Sequence, residues 1–345
     1  MYRCNTLVLT EPGKFIYESR KEKDPAQNEV LVQIKYMAVC GSDIHAINGR
    51  MKLFTFPRVL GHEVSGVVIK TGELVRSFQP GDSVVLMPCI SCGKCLACRH
   101  GKTNACSILR LYGVHEDGGL QEYITLPEKY FLKAPKGITN EHAALVEPFT
   151  IGMHSVRKLE TAKGDQVLIL GAGPIGVCCA MILRAIGASP YLADISEERR
   201  CFVAERFGFT VLDPLAKDYH AQIDEITDHE KFYGVIDCTA NKRSMDHAYE
   251  LIGNGGRIVF LGISPGDLQM DEAAFHMKES SLLINRNSVR KDFEDVLDMM
   301  SSGKLPANQI DGMITHRTSF DDAKEALLAQ AKNPSAFFKH VIIVS

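Results

Sequence analysis

The stretch QVLILGAGPIG, residues 166–176, decides the fold of this chain. It opens with an apolar run rich in strand formers, and residues 177–186 after it are apolar enough for a helix packed on a sheet. Between them, Gly171, Gly173 and Gly176 have the GxGxxG spacing of a dinucleotide site. Such glycines allow a tight turn, close approach of a pyrophosphate, and close packing of helix on strand. The N-terminus of that helix offers free N–H groups to the phosphates.

A second predicted strand, residues 190–193, ends in Asp194. A carboxylate at this offset binds the adenosine ribose hydroxyls and repels a 2′-phosphate, so NAD is favoured over NADP. Arg199 and Arg200 follow on a helix opened by Ser196, and we expect them to flank the adenine. A glycine turn in another kind of α/β protein would leave Asp194 unexplained. The predicted cofactor-binding residues are Gly171, Gly173, Pro174, Ile175, Gly176, Asp194 and Arg199.

Strands and helices alternate from residue 166 to about residue 285. The predicted strands lie at 167–170, 191–193, 210–212, 235–238, 258–261 and 282–285. This alternation predicts a doubly wound parallel sheet of the Rossmann type, and we assign residues 151–288 to an NAD-binding domain. The tail, residues 289–345, carries predicted helices at 292–300 and 321–331 and a closing strand at 340–344. We expect this tail to return to the N-terminal domain.

Residues 1–150 read differently, as a β-rich, turn-dense catalytic domain in an α/β protein. Apolar and polar residues alternate in stretches such as 30–35, which indicates antiparallel strands. We expect Ser42 to cap a short helix. A helix is predicted over 140–159, with an interruption at Glu147-Pro148 because proline kinks a helix and frees backbone groups.

Residues 89–106 form a cysteine-rich lobe. The spacing C-x2-C-x2-C-x7-C on Cys92, Cys95, Cys98 and Cys106 is compact enough to wrap four thiolates around one tetrahedral zinc ion. Such a site has no vacancy for substrate, so the zinc would be structural. Disulfides or a redox relay are the alternatives. Cys89 is interpreted as unligated.

Composition excludes several function classes. The chain has 345 residues, 45% hydrophobic and 23% charged, with a formal net charge of −3 and no basic run, so nucleic acid is not an expected partner. No apolar stretch approaches a membrane span, and the first residues do not have the form of a signal peptide. A cytoplasmic enzyme fits best.

A second metal set lies outside the lobe. Cys40, His62 and Glu63 supply a thiolate, an imidazole and a carboxylate, and Glu147 could supply a fourth group. A Cys/His/carboxylate set with an open position is typical of a catalytic zinc. Taken singly, a cysteine is more often a core residue and a histidine a hydrogen-bonded bystander.

These motifs together resemble the zinc-dependent medium-chain dehydrogenases of the alcohol dehydrogenase family. CGSDIH at 40–45, LGHE at 60–63, the cysteine lobe and the GAGPIG turn occur in that family's order, and the resemblance covers essentially the whole chain. It implies a GroES-like N-terminal domain, a substrate cleft between the domains, and two zinc ions per chain. It also implies that Cys40, His62 and a carboxylate hold the catalytic zinc. That carboxylate is Glu63 in some branches and Glu147 in others, and the two can exchange with water.

Within the family, EPF at 147–149 and the pattern at 40–43 resemble the polyol and threonine dehydrogenase branch. GVHEDGG at 113–119, VEPF at 146–149 and NRN at 285–287 resemble bacterial L-galactonate or L-gulonate 5-dehydrogenases. Those enzymes oxidise a secondary hydroxyl of a sugar acid with NAD as acceptor. The rival predictions are a sorbitol, polyol or L-threonine dehydrogenase and, from another class, a nonenzymatic NAD- or zinc-binding regulatory module.

The expected mechanism assigns a proton relay to Ser42 and His45, beside Cys40 and a zinc ion that lowers the pKa of the substrate hydroxyl. Ser42 would pass the proton through the nicotinamide ribose to His45, which meets solvent, while hydride goes to the nicotinamide. The alternatives are a helix-capping serine and a surface histidine. Arg286, or else His115, would meet the substrate carboxylate, although a buried Arg at such a position can also be a structural clamp.

The last strands of the predicted sheet lie towards one edge. Residues 258–261 and 280–285 could pair between subunits, so we expect a homodimer or homotetramer.

Overall fold

The structure is a computed structural model that describes residues 2–264 and 266–345. The chain forms two compact units. The first unit contains the residues up to Glu147 together with Val289–Ser345, and the second contains Pro148–Ser288.

The elements up to the unit boundary are strands β1 Tyr2–Glu11, β2 Lys14–Glu22 and β3 Glu29–Ala38, helix α1 Gly41–Ile47, strands β4 Glu63–Thr71, β5 Ser83–Leu86 and β6 Cys89–Ile90, helix α2 Leu96–Arg99, strands β7 Arg110–Leu111, β8 Tyr123–Pro127 and β9 Phe131–Lys133, and helix α3 Asn140–Ala144. The elements of the second unit are α4 Val146–Leu159, which begins at the boundary, β10 Gln166–Leu170, α5 Pro174–Ala185, β11 Ser189–Ala193, α6 Glu197–Phe207, β12 Val211–Leu212, α7 Tyr219–Ile226, β13 Phe232–Asp237, α8 Lys242–His247, β14 Ile252–Phe260, α9 Glu272–Lys278 and β15 Ser281–Ile284. The remaining elements are α10 Arg290–Ser301, α11 Ala307–Met313, β16 Ile314–Ser319, α12 Ala323–Lys332 and β17 Lys339–Ile343, and short 3₁₀ turns lie at Thr103–Ala105, Glu128–Tyr130, Ala248–Leu251 and Pro334–Ala336.

The first unit is built on a β-sheet of seven strands. Six of them lie in the order β16-β17-β3-β4-β5-β9, and β8 also pairs with β3. β3 is the central strand because its neighbours β4, β8 and β17 all pair with it antiparallel. The tail strand β17 therefore lies directly against the strand that leads to Cys40.

The second unit is a parallel sheet in the order β12-β11-β10-β13-β14-β15. Residues 167–170 of β10 are buried, as expected of a strand that helices cover on both faces. The strand order reverses between β10 and β13, and ligands of such sheets bind outside the carboxyl ends of the strands at this switch point. The prediction of six strands in a doubly wound parallel sheet is confirmed.

Three local predictions need correction. The predicted helix at 140–159 is two helices, and the break lies at Leu145 rather than at Glu147-Pro148. Pro148 lies in the first turn of α4, where its missing N–H leaves no helical hydrogen bond unmade. Ser42 is not the cap of α1, because Cys40 is the N-cap and Ser42 is already inside the first turn. The prediction also missed α11 and β16, whose short polar segments carry weak periodicity.

Among the described residues, no helix has both the length and the apolar character needed to cross a bilayer.

Candidate metal and dinucleotide sites

Strand pairing brings the first metal-ligand set together. Cys40 follows the end of β3, and Glu63 begins β4. Ala38 and Glu63 are direct partners in the antiparallel β3–β4 ladder. Residues more than twenty positions apart in sequence therefore emerge from one edge of the sheet at the same place.

Cys40, His62 and Glu63 form a compact set of possible ligands. Sγ of Cys40, a ring nitrogen of His62 and a carboxylate oxygen of Glu63 all lie within 4.8 Å of one another. His62 is 8% exposed and Glu63 is 1% exposed. A buried thiolate, imidazole and carboxylate at this spacing suit a zinc ion.

Asp43 lies behind this set and was not predicted. Its Oδ2 accepts a hydrogen bond from the backbone N–H of Cys40 at 2.9 Å. Its Oδ1 lies 3.9 Å from Nδ1 of His62, and the carboxylate is fully buried. This separation is too long for a hydrogen bond, so the contact between Asp43 and His62 is electrostatic, and the charge of Asp43 raises the pKa of the imidazole. The sequence signal was present, since Asp43 lies one turn of helix after Cys40.

Unpaired buried atoms support the fit to a metal. Within the described part of the chain, Ser42 Oγ, Asp43 Oδ1, His62 Nδ1 and Glu63 Oε2 are buried without a hydrogen-bond partner. Buried polar atoms are normally paired. Glu63 Oε2 forms an ion pair with the buried Lys339, and the other three atoms lie around one Cys/His/carboxylate set, which indicates that this region is built for an ion and a polar ligand. His45, by contrast, is exposed in the last turn of α1.

The charges of the site perturb its acid–base groups. Burial alone would lower the pKa of His62, but Cys40, Asp43 and Glu147 together raise it well above its ordinary value. Burial raises the pKa of Glu147 to about 7, and the Glu63 carboxylate adds to this shift. Glu147 therefore interacts electrostatically with the set, although it is not among the three residues whose ligand atoms lie within 4.8 Å. With their raised pKa values, His62 and Glu147 hold protons that a metal ion would displace on binding.

The loop that contains His115 is packed against Gly61, the residue before His62. A Cβ at Gly118 would meet the carbonyl oxygen of Gly61 at 2.1 Å, and one at Gly113 would meet it at 2.5 Å. Only glycine allows this approach. Nδ1 of His115 accepts a hydrogen bond from the backbone N–H of Leu111 at 3.1 Å, so that ring nitrogen is engaged within the loop itself.

The cysteine lobe brings the four predicted thiols together. Cys92, Cys95, Cys98 and Cys106 form one set with all Sγ atoms within 4.8 Å, and Cys89 is not part of it. The Sγ···Sγ distances for Cys95–Cys98, Cys95–Cys106 and Cys92–Cys98 are 3.4, 3.9 and 4.0 Å. Four sulfurs at 2.3 Å from a tetrahedral zinc would be roughly 3.8 Å apart. All four thiols are free, which excludes a disulfide between them in this structure.

Backbone groups of the lobe favour thiolates. Hydrogen bonds from the backbone at Ser107 and Cys98 lower the pKa of Cys95 to about 5. The backbone N–H of Cys92 donates to Sγ of Cys106 at 3.3 Å, and that of Cys95 donates to Sγ of Cys92 at 3.3 Å. Backbone hydrogen bonds also lower the pKa of Cys92, whereas burial and the neighbouring thiols raise the pKa of Cys98 to about 11, so a zinc ion on this set would have to deprotonate Cys98 on binding.

In the second unit, the glycine turn joins β10 to α5. Gly171 has a φ of +98°, which favours glycine, and its N–H donates to the carbonyl oxygen of Ala193 at 2.8 Å. A Cβ at Gly176 would meet the carbonyl oxygen of Gly171 at 2.0 Å, so helix and turn pack too closely for any side chain. A Cβ at Gly173 would meet no atom within 4 Å, which leaves room for a ligand to approach the backbone. Pro174 and Ile175 then open α5.

Asp194 lies at the end of β11 beside this turn. Its Oδ2 accepts from the backbone N–H of Ala172 at 2.8 Å, and its Oδ1 accepts from the N–H of Ser196 at 2.9 Å. The backbone N–H of Arg199 donates to Oγ of Ser196, the N-cap of α6, at 3.3 Å. Arg200 donates to the carbonyl oxygen of Asp194 and to Asp213, both at 2.9 Å, so its guanidinium is engaged by the protein.

Asp237 at the end of β13 is a further polar anchor that the sequence did not reveal. Its Oδ1 accepts from the N–H and Oγ1 of Thr239, and its Oδ2 accepts from Oγ of Ser244. Burial raises the pKa of this carboxyl. Because β13 is adjacent to β10, this network lies at the switch point of the sheet. Arg286 is exposed just beyond the carboxyl end of β15.

A thiolate-imidazole-carboxylate set in a β-rich unit and a phosphate-binding turn in a doubly wound unit define a metal- and dinucleotide-dependent oxidoreductase. Two family models match the chain: the alcohol dehydrogenase GroES-like domain over residues 26–136 and the zinc-binding dehydrogenase over residues 174–302. The chain belongs to the zinc-dependent medium-chain alcohol dehydrogenase family.

Individual relatives agree with this assignment. The chain is 39% identical to L-galactonate-5-dehydrogenase of Escherichia coli (strain K12), over 99% of each chain. An alcohol dehydrogenase structure from Escherichia coli CFT073, in complex with NADH, superposes with a TM-score of 0.91 at 28% identity and covers 99% of each chain. A structure described as a zinc-binding dehydrogenase of Sinorhizobium meliloti 1021, bound to NADP, gives 0.89 at 27% identity over 100% of each chain. The predictions of the fold, the family, the dehydrogenase class and the use of zinc and a nicotinamide dinucleotide are confirmed.

Proposed function

We propose that this protein oxidises a secondary hydroxyl of a sugar acid with NAD, as an L-galactonate or L-gulonate 5-dehydrogenase does. The observation that carries the proposal is the convergence of Cys40, His62 and Glu63 in a chain that also has the glycine turn with Asp194. The similarity to an L-galactonate-5-dehydrogenase over 99% of the chain supports the sugar-acid class. Two zinc ions per chain are part of the proposal, one in each set of ligands.

The chain's own residues have distinct roles in this reaction. When bound, zinc lowers the pKa of the substrate hydroxyl and the nicotinamide accepts the hydride. His62 holds the metal position with Cys40 and a carboxylate, and the buried charge of Asp43 lies 3.9 Å from its ring. Ser42 Oγ, buried and unpaired in the described structure, is available to bond the reacting hydroxyl. His45, exposed at the end of α1, releases the proton to solvent.

Asp194 supports a preference for NAD over NADP. Both carboxylate oxygens are held by backbone N–H groups, which fixes them beside the glycine turn. A fixed carboxylate accepts hydrogen bonds from ribose hydroxyls and repels a 2′-phosphate. Arg199, at the start of α6, flanks the adenine in this proposal.

The experiment that tests the substrate class is a panel of L-galactonate, L-gulonate, sorbitol and L-threonine with NAD and with NADP, followed by nicotinamide absorbance. The proposal requires the highest kcat/KM for an aldonate with NAD. A higher value for sorbitol or threonine would favour the polyol or threonine reaction. Metal analysis tests the nonenzymatic alternative, because a regulatory module with only the cysteine lobe would hold one zinc ion per chain.

Arg286 is proposed to bind the substrate carboxylate, because it is an exposed cation at the carboxyl edge of the sheet. Its exchange for Met should raise KM for aldonates about tenfold or more and leave KM for sorbitol unchanged. Arg206→Met, at the far end of α6, is a matched loss of an exposed charge. An equal effect on charged and neutral substrates would exclude this role, and His115→Gln would then be tested in the same way.

We also propose that two copies associate through β15, giving a homodimer or, when two such dimers associate, a homotetramer. β15 is the last strand in the sheet order, and its Leu282 and Ile284 are 37% and 62% exposed. An apolar edge strand is a template for pairing with a second chain. Ile284→Lys should shift the protein towards monomer in light scattering. An unchanged mass would exclude this edge as the interface.

A further inference from the structure

The carboxylate of Asp117 binds segment 58–61, which directly precedes a histidine of the metal-ligand set. Its Oδ1 accepts hydrogen bonds from the backbone N–H of Val59 and from Nη1 of Arg58, both at 3.1 Å. Its Oδ2 accepts from Nη1 of Arg20, a residue of β2, at 2.9 Å. One carboxylate therefore joins its own loop to segment 58–61 through one oxygen and to β2 through the other.

Backbone hydrogen bonds hold segment 58–61 along its whole length. Leu9 of β1 and Arg58 exchange two hydrogen bonds between their backbone groups, each at 2.9 Å. The N–H groups of residues 118–120, directly after Asp117, donate to carbonyl oxygens of the rest of the segment. These hydrogen bonds run from Gly118 to Val59, from Gly119 to Gly61 and from Leu120 to Leu60, at 2.9, 2.9 and 3.0 Å. The pairing therefore extends to the residue before His62.

Asp117 also neutralises a guanidinium that is largely buried. The side chain of Arg58 is 14% exposed, whereas that of Arg20 is 37% exposed. In the part of the chain that the structure describes, Asp117 is the carboxylate that pairs with Arg58. A largely buried cation without its partner is strongly unfavourable, whereas an exposed ion pair contributes little to stability. We therefore expect the contact with Arg58 to matter more than the contact with Arg20.

Loss of this carboxylate would change the position of His62. Two donors of segment 58–61, the N–H of Val59 and the guanidinium of Arg58, would lose the oxygen that they share, and a buried donor without an acceptor is unfavourable. Because the segment is bonded to the loop as far as Gly61, a shift of the segment reaches the next residue, His62. Binding groups must be held to within about 0.5 Å of their productive geometry, so a small shift weakens a metal site.

We propose that Asp117 is a positioning residue for the catalytic metal site. Through Arg58 and Val59 it fixes the segment that leads to His62, and this role does not depend on its contact with Arg20. The inference rests on the zinc-dependent function proposed above. A merely structural role, the attachment of β2 to the loop, would instead depend on the contact between Oδ2 and Arg20.

The first test is zinc affinity, measured by competition with a fluorescent chelator on protein whose cysteine lobe is already loaded. Asp117→Ala should bind the catalytic zinc about tenfold or more weakly than the parent, as expected when a group that supports a metal ligand is removed. Arg20→Gln is the matched control on the other carboxylate oxygen and should bind zinc as the parent does. Affinity equal to the parent's in Asp117→Ala, or an equal loss in both variants, would overturn the proposal.

The second test does not depend on the folding of Asp117→Ala. Asp117→Asn keeps an oxygen at this position but leaves the charge of Arg58 unpaired, so it should also weaken zinc binding. The double variant Asp117→Asn/Arg58→Gln has no unpaired charge at this contact, and it should bind zinc more tightly than Asp117→Asn does. Binding in the double variant that is no tighter than in Asp117→Asn would overturn the proposal.

The third test examines the geometry of the metal site. In the cobalt-substituted protein, the visible absorption bands of the catalytic ion report the arrangement of its ligands. Asp117→Asn should shift these bands and Arg20→Gln should not, and unshifted bands in Asp117→Asn would overturn the positioning role. A parent protein that binds zinc only in the cysteine lobe would overturn the proposed function as well, whereas two zinc ions and unaffected Asp117 variants would overturn only the role of Asp117.

Discussion

The binding of zinc to the catalytic set should weaken steeply below pH 7. Burial raises the pKa of Glu147 to about 7, against 4.5 for an ordinary glutamate, so the metal-free site holds a proton there at neutral pH and below. His62 adds a second proton, because its pKa is also raised, mainly by Cys40 against the effect of burial. An incoming ion must displace these protons, and therefore affinity falls as pH falls.

The size of the effect follows from the shifted pKa. For one group that titrates at about 7, the deprotonated fraction falls from roughly nine tenths at pH 8 to one tenth at pH 6. Glu147 alone therefore weakens zinc binding about tenfold across that range, and His62 adds to the slope. A carboxyl with its ordinary pKa of 4.5 would stay ionised throughout and contribute almost nothing.

The assay is a chelator competition at pH 6, 7 and 8 on protein whose cysteine lobe is already loaded. Glu147→Gln should remove about half a unit from the slope of log Kd against pH, because the tenfold share of this group is spread over two pH units. Glu73→Gln removes an exposed carboxyl of the same unit and should leave the slope unchanged. The reasoning is refuted if Glu147→Gln has the slope of the parent protein.

Three further outcomes are expected. Cys106→Ser should lose one zinc ion per chain and lower the unfolding temperature while the catalytic zinc is retained, as metal analysis and calorimetry would show; loss of both ions would contradict independent sites. Asp194→Ala should weaken NAD binding about tenfold or more and NADP binding much less, as measured by dinucleotide titration, whereas equal losses would argue against a contact with the ribose. Burial, with the charges of His316 and Lys339, lowers the pKa of His340 from 6.5 to about 4. Between these two pH values His340 is therefore protonated in the unfolded chain and neutral in the folded chain. The free energy of unfolding should then fall by about 2 kcal/mol between pH 7.5 and 5, as measured by urea unfolding. His340→Gln should not show this decrease, and a decrease of the same size in the variant would mean that other groups cause it.

The local motifs of this protein were readable because their geometry depends on neighbours in the chain. The four lobe cysteines lie within fifteen residues, so spacing alone brings their sulfurs together. The glycine turn works in the same way, since Gly171 and Gly176 contact each other across one turn between strand and helix. Ser42 shows the limit of such predictions. The helix begins two residues earlier than predicted, so Cys40 is its N-cap and Ser42 lies inside the first turn.

What the sequence determined by itself is the class: a cysteine lobe, a Rossmann turn with its acid, and a thiol, imidazole and carboxylate in the order of one family. Tertiary structure alone decided which charged groups lie next to those residues. Asp43 reaches His62, and Lys339 reaches Glu63 from the end of the chain, because strands distant in sequence pair side by side. A buried charge is defined by the partner that folding brings to it, and no periodicity or spacing along the chain encodes a partner almost three hundred residues away.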